Sequence, residues 1–329
     1  MGKPSIEAFT FGNAEPVLNR ADITDYIESW WNNKWYEPPV SFVGLAKSFR
    51  SNAHHSSAIY VKRNILLKTL KPHPKLGRQT ASRLFLDYLT FGNAFLERIV
   101  DRRDRLIKVD ASPAKYTRRG KAADEFWFAP TFNGEHQFRT GSVFQIMEPD
   151  VNQEIYGVPE YLAGLQSAWL NESATLFRRK YYLNGNHAGF ILYLTDEKIE
   201  DGDVDALRQA LKDAKGPGNF RNLFLSAPGG KADGIKLIPV SEVSAKDEFF
   251  NIKNVTRDDV LAAHRVPPQI MGIVPTNTAG FGSADTASKV FSQNEIEPLQ
   301  ARFNEVNDWL GEKVIDWNPY QLDVVASAS

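Results

Sequence analysis

Residues 158–185 read VPEYLAGLQSAWLNESATLFRRKYYLNG, and no other stretch of the chain is as plainly helical. Pro159 stands near the start, where a missing N–H costs nothing, and Glu160 brings negative charge to the first turn. Arg178, Arg179 and Lys180 bring positive charge to the last turns, and Gly185 follows as a stop. Leu162, Leu165, Trp169, Leu176 and Tyr181 form an approximate apolar stripe. About 25 residues rising about 1.5 Å each predict a rod of about 38 Å.

Upstream the chain is mixed. Trp30, Trp31, Trp35 and Tyr36 precede Pro38-Pro39, through which no unbroken helix can run. These aromatics read as a docking segment for a neighbour's groove or the chain's own core. Too few Arg or Lys residues are interleaved for a single-strand stacking platform. Residues 56–70 and 76–91 read as helices, the first followed by Pro72 and Pro74, the second ended by Gly92. Strand-like runs follow at 94–100, 126–129 and 143–147.

Downstream, 190–194 reads as a strand, 203–214 as a short helix, and 223–226 and 235–240 as strands around the Pro228-Gly229-Gly230 turn. Thr256 is an expected N-cap for a helix that Pro267-Pro268 terminates. Residues 271–283 carry Gly272, Pro275, Gly280 and Gly282 around Thr276-Asn277-Thr278. A last long helix is expected over 284–310, with Ile296, Leu299, Phe303, Val306 and Leu310 as a seam and a kink at Pro298. The fold class is therefore α+β.

Composition narrows the function. The 39 basic and 40 acidic residues leave a net charge of -1, whereas a protein that grips DNA is visibly basic. The absence of cysteine excludes disulfides and thiolate-held metals. Lysine interrupts the most apolar stretches, such as 65–70, so no membrane span is expected. Residues 1–10 lack an apolar core flanked by basic residues, so no secretory signal is expected.

Tests for chemistry fail one by one. Asp201, Asp203 and Asp205 open like a calcium loop, but Ala206 and Lys212 stand where that loop needs Gly and Glu. Gly230-Lys231 resembles part of a phosphate loop, but Leu225 and Ala232 break the pattern. The adjacent His54 and His55 point apart and do not share a helix face. His187 lies in a loop and His264 beside Arg265. Glu97, Asp101 and Asp104 sit at a strand end among basic neighbours and read as a solvated turn. No catalytic residue, metal site or cofactor is expected.

Several runs taken together carry a resemblance. They are Arg20-Ala21-Asp22, Trp35-Tyr36-Glu37-Pro38-Pro39, His54-His55-Ser56-Ser57 and Tyr60-Val61-Lys62-Arg63-Asn64. Phe91-Gly92-Asn93-Ala94-Phe95-Leu96-Glu97, Ser112-Pro113-Ala114-Lys115-Tyr116 and Tyr156-Gly157-Val158-Pro159-Glu160-Tyr161 follow. The runs 171–182 and 264–272 complete the set. In this order they resemble the PBSX-type portal family of temperate contractile-tailed phages, over nearly the whole chain.

The resemblance implies a twelve-subunit ring at one capsid vertex, a conduit for double-stranded DNA in packaging and ejection. It implies a portal fold: a wing over 1–157, stem helices at 158–185 and 246–271 flanking a β-containing clip at 186–245. A channel loop at 272–283, a kinked helix at 284–311 and a short crown at 312–329 complete it. Thr276, Asn277, Thr278, Gly280, Gly282 and Ser283 would then face DNA, with Lys289 as a sparse ring of charge. Arg208, Lys212 and Arg221 of the clip would meet the terminase and later the head-completion or tail proteins. Major capsid and scaffold proteins are further implied partners. The implied location is the virion, after assembly in the host cytoplasm. Twelve helices about 10 Å wide make a circle about 38 Å across at its centre line, leaving roughly 28 Å for a duplex. Two other readings compete: a packaging nuclease or phosphotransferase, which needs a constellation not found, and a monomeric nucleic-acid-binding module, which the net charge opposes.

Overall fold

The computed structural model describes residues 29–130, 134–183, 190–194, 235–239, 245–273 and 284–320. The helix expected over 203–214, the strand at 223–226 and nearly all of the segment 271–283 lie outside them. The chain divides into two units, 1–16 with 170–255, and 17–169 with 256–329.

In the larger unit, β1 (Trp30–Trp31) and β2 (Tyr36–Glu37) form a short hairpin before α1 (Phe42–Ser48). Two longer helices follow, α2 (Ala53–Thr69) and α3 (Arg78–Phe91). Helix α2 starts three residues before the expected Ser56 because Asn52 caps it, its side chain accepting from His54 N at 2.7 Å and His55 N at 3.3 Å. Gly92 ends α3 at φ 65, the left-handed stop that its sequence position announces.

Then comes β3 (Asn93–Val100), flanked by β4 (Leu106–Ser112) and β8 (Val143–Met147) in a three-stranded antiparallel sheet. The short β5 (Thr117–Arg119), β6 (Phe126–Phe128) and β7 (His136–Gln137) join β1 and β2 in a second sheet, order β1-β2-β5-β6-β7. Trp35 is buried and packs at a tilt against Trp127, whereas Trp30 and Trp31 stay exposed on the edge strand.

The core lies where α2 and α3 meet the three-stranded sheet and the last helices. Phe85 and Tyr88 of α3 pack on Phe303, with ring centroids 4.6 and 5.2 Å apart. The last helical stretch is α6 (Ala284–Phe291), a π turn (Ser292–Ile296) and α7 (Glu297–Leu310). The irregularity falls just before Pro298, which lacks the N–H that would pair with the carbonyl of Asn294. The kink expected at Pro298 is thus a π turn.

Helices α4 (Leu165–Leu183) and α5 (Ala245–Ala263) span the boundary between the units. In the larger unit Ser167 Oγ donates to Asp259 at 2.9 Å, and in the smaller one Asn171 Nδ2 donates to the carbonyl of Lys253 at 3.3 Å. Strands β9 (Phe190–Leu194) and β10 (Ile235–Pro239) pair antiparallel in the smaller unit. Two expectations need correction. Thr256 is no N-cap: it is buried inside α5, which begins at Ala245. The helix expected to run to 271 stops at Ala263, and Pro268–Met271 forms a 3-10 turn, because paired prolines cannot continue an α-helix.

Candidate functional site

Of the residues singled out in the sequence, Thr276, Asn277, Thr278, Gly280, Gly282 and Ser283 lie outside the described residues, as do Arg208, Lys212 and Arg221. Lys289 is exposed on α6. The chain leads into 274–283 from the 3-10 turn, closed by Gly272 at φ 70, and out of it at Ala284.

A largely buried group of charges joins α2, the turns beside α4 and α5, and the π turn. The buried residues of α2 include His55, Ala58, Ile59, Lys62, Ile65, Leu66 and Thr69, a helical stripe with a lysine at its middle. Lys62 is 2% exposed, and its Nζ lies 3.4 Å from Glu160 and 3.0 Å from Glu295. Arg265 reaches the same two carboxylates at 2.9 and 3.6 Å, with half its side chain in solvent. Two cations thus share two anions, which a lysine removed from water requires. Glu160 follows Pro159 just before α4, and Glu295 sits in the π turn. Arg265 lies just past α5 at φ 54, where glycine is the usual residue. Holding arginine there costs about 1–2 kcal/mol.

A neutral aromatic group adjoins it. His55 Nδ1 and His264 Nε2 are 2.9 Å apart, so one ring donates its proton to the other. Tyr161 stacks on His264 and meets His55 edge-on, and its hydroxyl donates to the carbonyl of Thr90. Burial pulls the pKa of His55 down to about 4; burial first, then the charges of His55 and Lys62, hold that of His264 well below its ordinary value. Among the described residues no group of three or more His, Asp or Glu could hold a metal ion.

Two of the runs quoted above meet here. Asn93 accepts from the N–H of Gly157 at 2.9 Å and donates to the carbonyls of Phe91 and Gly157 at 2.9 and 2.8 Å. A Cβ on Gly157 would lie 2.2 Å from the carbonyl oxygen of Gly92 and 2.5 Å from the backbone nitrogen of Glu148. Only glycine lets the three backbones approach. Nearby, the Tyr88 hydroxyl bonds the carboxylate of Glu148, which faces Arg302 at 4.0 Å. The space left among Ile59, Lys62, Gly92, Glu148, Glu160 and His264 is a cavity of about 20 Å³. That holds about one water and no organic substrate. Joining elements is the chemistry this arrangement can perform.

Fold and cluster together define an α+β protein in which the segments around helix ends are joined by largely buried charge. The Phage portal protein family model matches residues 50–324, and the chain belongs to that family. It is 57% identical over 320 residues to the "Probable portal protein" of Escherichia phage P2, covering 97% of this chain and 93% of that one. The fold is similar to that of an HK97 family phage portal protein from Corynebacterium diphtheriae, at TM-score 0.61 and 14% identity over 83% of this chain and 94% of that one. A chain in the neck of a native gene transfer agent particle, computed with C12 symmetry, matches at TM-score 0.60 and 16% identity, covering 87% and 85%.

Sequence reasoning passed over Lys62, Glu160, Glu295 and Arg265 as a set. Lys62 on an apolar stripe was the available signal. Its partners lie 98 and 233 residues away, which spacing cannot reveal. His55 does turn away from His54, and its partner comes from 209 residues away.

Proposed function

We propose that this chain is one subunit of a twelve-membered ring at a single capsid vertex, through which double-stranded DNA is packaged and later ejected. The observation that carries this reading is the 57% identity to a probable portal protein over 97% of the chain. The C12 symmetry stated for the gene transfer agent neck supports the number twelve.

In this reading 1–157 is the wing, 158–185 and 246–271 belong to the stem, and 186–245 is the clip. The clip presents Arg208, Lys212 and Arg221 to the terminase and then to head-completion or tail proteins. The channel loop, 272–283, touches DNA through Thr276, Asn277, Thr278, Gly280, Gly282 and Ser283, with Lys289 behind it. Residues 284–311 are the kinked helix and 312–329 a short crown. Capsid and scaffold proteins hold the ring in the virion, which is built in the host cytoplasm. The subunit performs no reaction of its own and takes no cofactor; the motor that consumes ATP is a partner.

Mass measurement of the purified protein tests the reading. A particle of about twelve times 37.0 kDa is expected. A stable monomer at micromolar concentration counts decisively against it.

A further inference from the structure

The three-stranded sheet carries opposite charge at its two ends. Strand β3 runs from Asn93, which faces Met147 of β8, to Val100, which faces Leu106 of β4. Seven steps of about 3.3 Å put these ends about 23 Å apart. At the Val100 end the chain turns back into β4, and residues 101–108 read DRRDRLIK, four basic residues against two acidic. Arg102, Arg103, Arg105 and Lys108 are exposed. Arg139, from the chain just before β8, joins them and bonds to Asp104 at 3.0 Å. At the Asn93 end β8 runs on into residues 148–154, EPDVNQE, with three acidic residues and no basic one. The N–H of Glu148 bonds to Gly92 there, and Glu154 is exposed.

Each charged end also shows apolar side chains to water. Ile99 pairs with Lys108 and Val100 with Leu106, so Ile107 is the extra residue of a bulge, and it is 55% exposed. Asp150 and Gln153 close a tight turn that holds Val151 out, 97% exposed. Ser29 Oγ donates to Gln153 at 3.4 Å, which sets the exposed Trp30 and Trp31 of edge strand β1 beside that turn. The sheet keeps the two ends from meeting within one chain, but they complement each other on different copies. A ring is built by such heterologous contacts, one patch of a subunit meeting a different patch of the next. We infer that the tip 101–108 of one subunit docks head to tail on loop 148–154 and Trp30–Trp31 of the next copy. Arginine then faces carboxylate, and Ile107 meets the aromatic edge. Tryptophan and arginine are residues that such interfaces collect. DNA fits this tip less well, because phosphate answers the arginines but neither Ile107 nor the acidic end. The inference rests on the ring reading.

Arg102→Glu with Arg103→Glu reverses the tip, and Asn152→Arg with Glu154→Arg reverses the loop; all four side chains are exposed. Each full-length variant alone should assemble at least about 100-fold more weakly than wild type, because like charges then meet at every contact. An equimolar mixture should recover the wild-type mass of about twelve times 37.0 kDa, since reversed tip and reversed loop attract and alternate around an even ring. Wild-type mass from the tip variant alone overturns the inference, and if its duplex binding is weaker the tip belongs to DNA. A folded mixture that stays monomeric overturns it too. Should the variants fold poorly, Arg103→Cys with Glu154→Cys replaces them. The chain has no cysteine of its own, and the sheet keeps the two thiols of one chain beyond the reach of a short bis-maleimide. A ladder of covalent multimers is expected. A full-mass particle that yields no ladder overturns the interface and leaves the ring reading standing, whereas a wild-type monomer removes the ring reading itself.

Discussion

His55 gives the fold a pH dependence on the acid side. It is buried against His264, Tyr161 and, through His264, the Lys62 charge, and its pKa falls from the ordinary 6.5 to about 4. The folded protein therefore binds fewer protons than the unfolded chain between these values. Stability is fully present above about pH 6.5 and declines as pH falls toward 4, by about 3 kcal/mol for this residue. Urea midpoints at pH 7 and pH 4.5 check this in wild type and His55→Gln. The variant should lose distinctly less on acidification, because glutamine has no proton to take up; equal losses would show that His55 is not the group responsible. At this scale little was legible in advance. Pattern reading recognises residues through near neighbours, and it took His54-His55 for no metal pair on their spacing alone. It had no means to join Lys62 to Glu295, or His55 to His264, since those contacts come from tertiary packing. The glycine runs were more telling: Gly92 and Gly157 stood inside quoted motifs, and the structure shows them in backbone contact.

Elements were far more legible than sites. Strands 143–147 and 190–194 match their expected limits, and α3 stops at the expected Gly92. Strand β4 was missed because Lys108 and Asp110 alternate with Ile107 and Val109 only briefly beyond a charged turn. By residue pattern alone, as opposed to the resemblance's start at 246, helix α5 was begun eleven residues late, at Thr256, because threonine imitates a cap when no partner is visible. The proposed channel segment yields its prediction at this scale. Its flanks are fixed independently of it, by Ile270, Met271 and Ile273 packed on the core and by Phe291 buried within it. Deleting Thr276 to Gly280 should therefore leave particle mass intact and thermal midpoint within about 3 °C. Phage carrying the deletion should build heads yet lose packaged DNA, measured as nuclease-sensitive genome. A deletion that stops ring assembly would place the segment in an interface between subunits instead.

For the whole molecule, charge decides what a ring could do with DNA. Each neutralised phosphate steepens the salt dependence of binding by about 0.9 in the double-logarithmic slope. A ring lined by many fixed cations would hold the duplex it must pass. With 39 basic against 40 acidic residues the subunit carries no net positive charge, and among the described residues Lys62, Lys71, Lys75, Arg118 and Arg265 are each paired to a carboxylate. In the proposed ring, sliding would follow from weak contact, with directionality supplied by a partner that spends energy. The expected outcome is binding of a short duplex weaker than about 10 µM at 0.15 M salt, with a slope shallower than about -3. Fluorescence anisotropy of labelled duplex across a salt series measures both quantities on the assembled protein. Lys289→Gln should flatten the slope further if that exposed lysine lines the path. Submicromolar affinity with a slope steeper than about -6 would mean that the assembly grips DNA, and a low-friction conduit would no longer describe it.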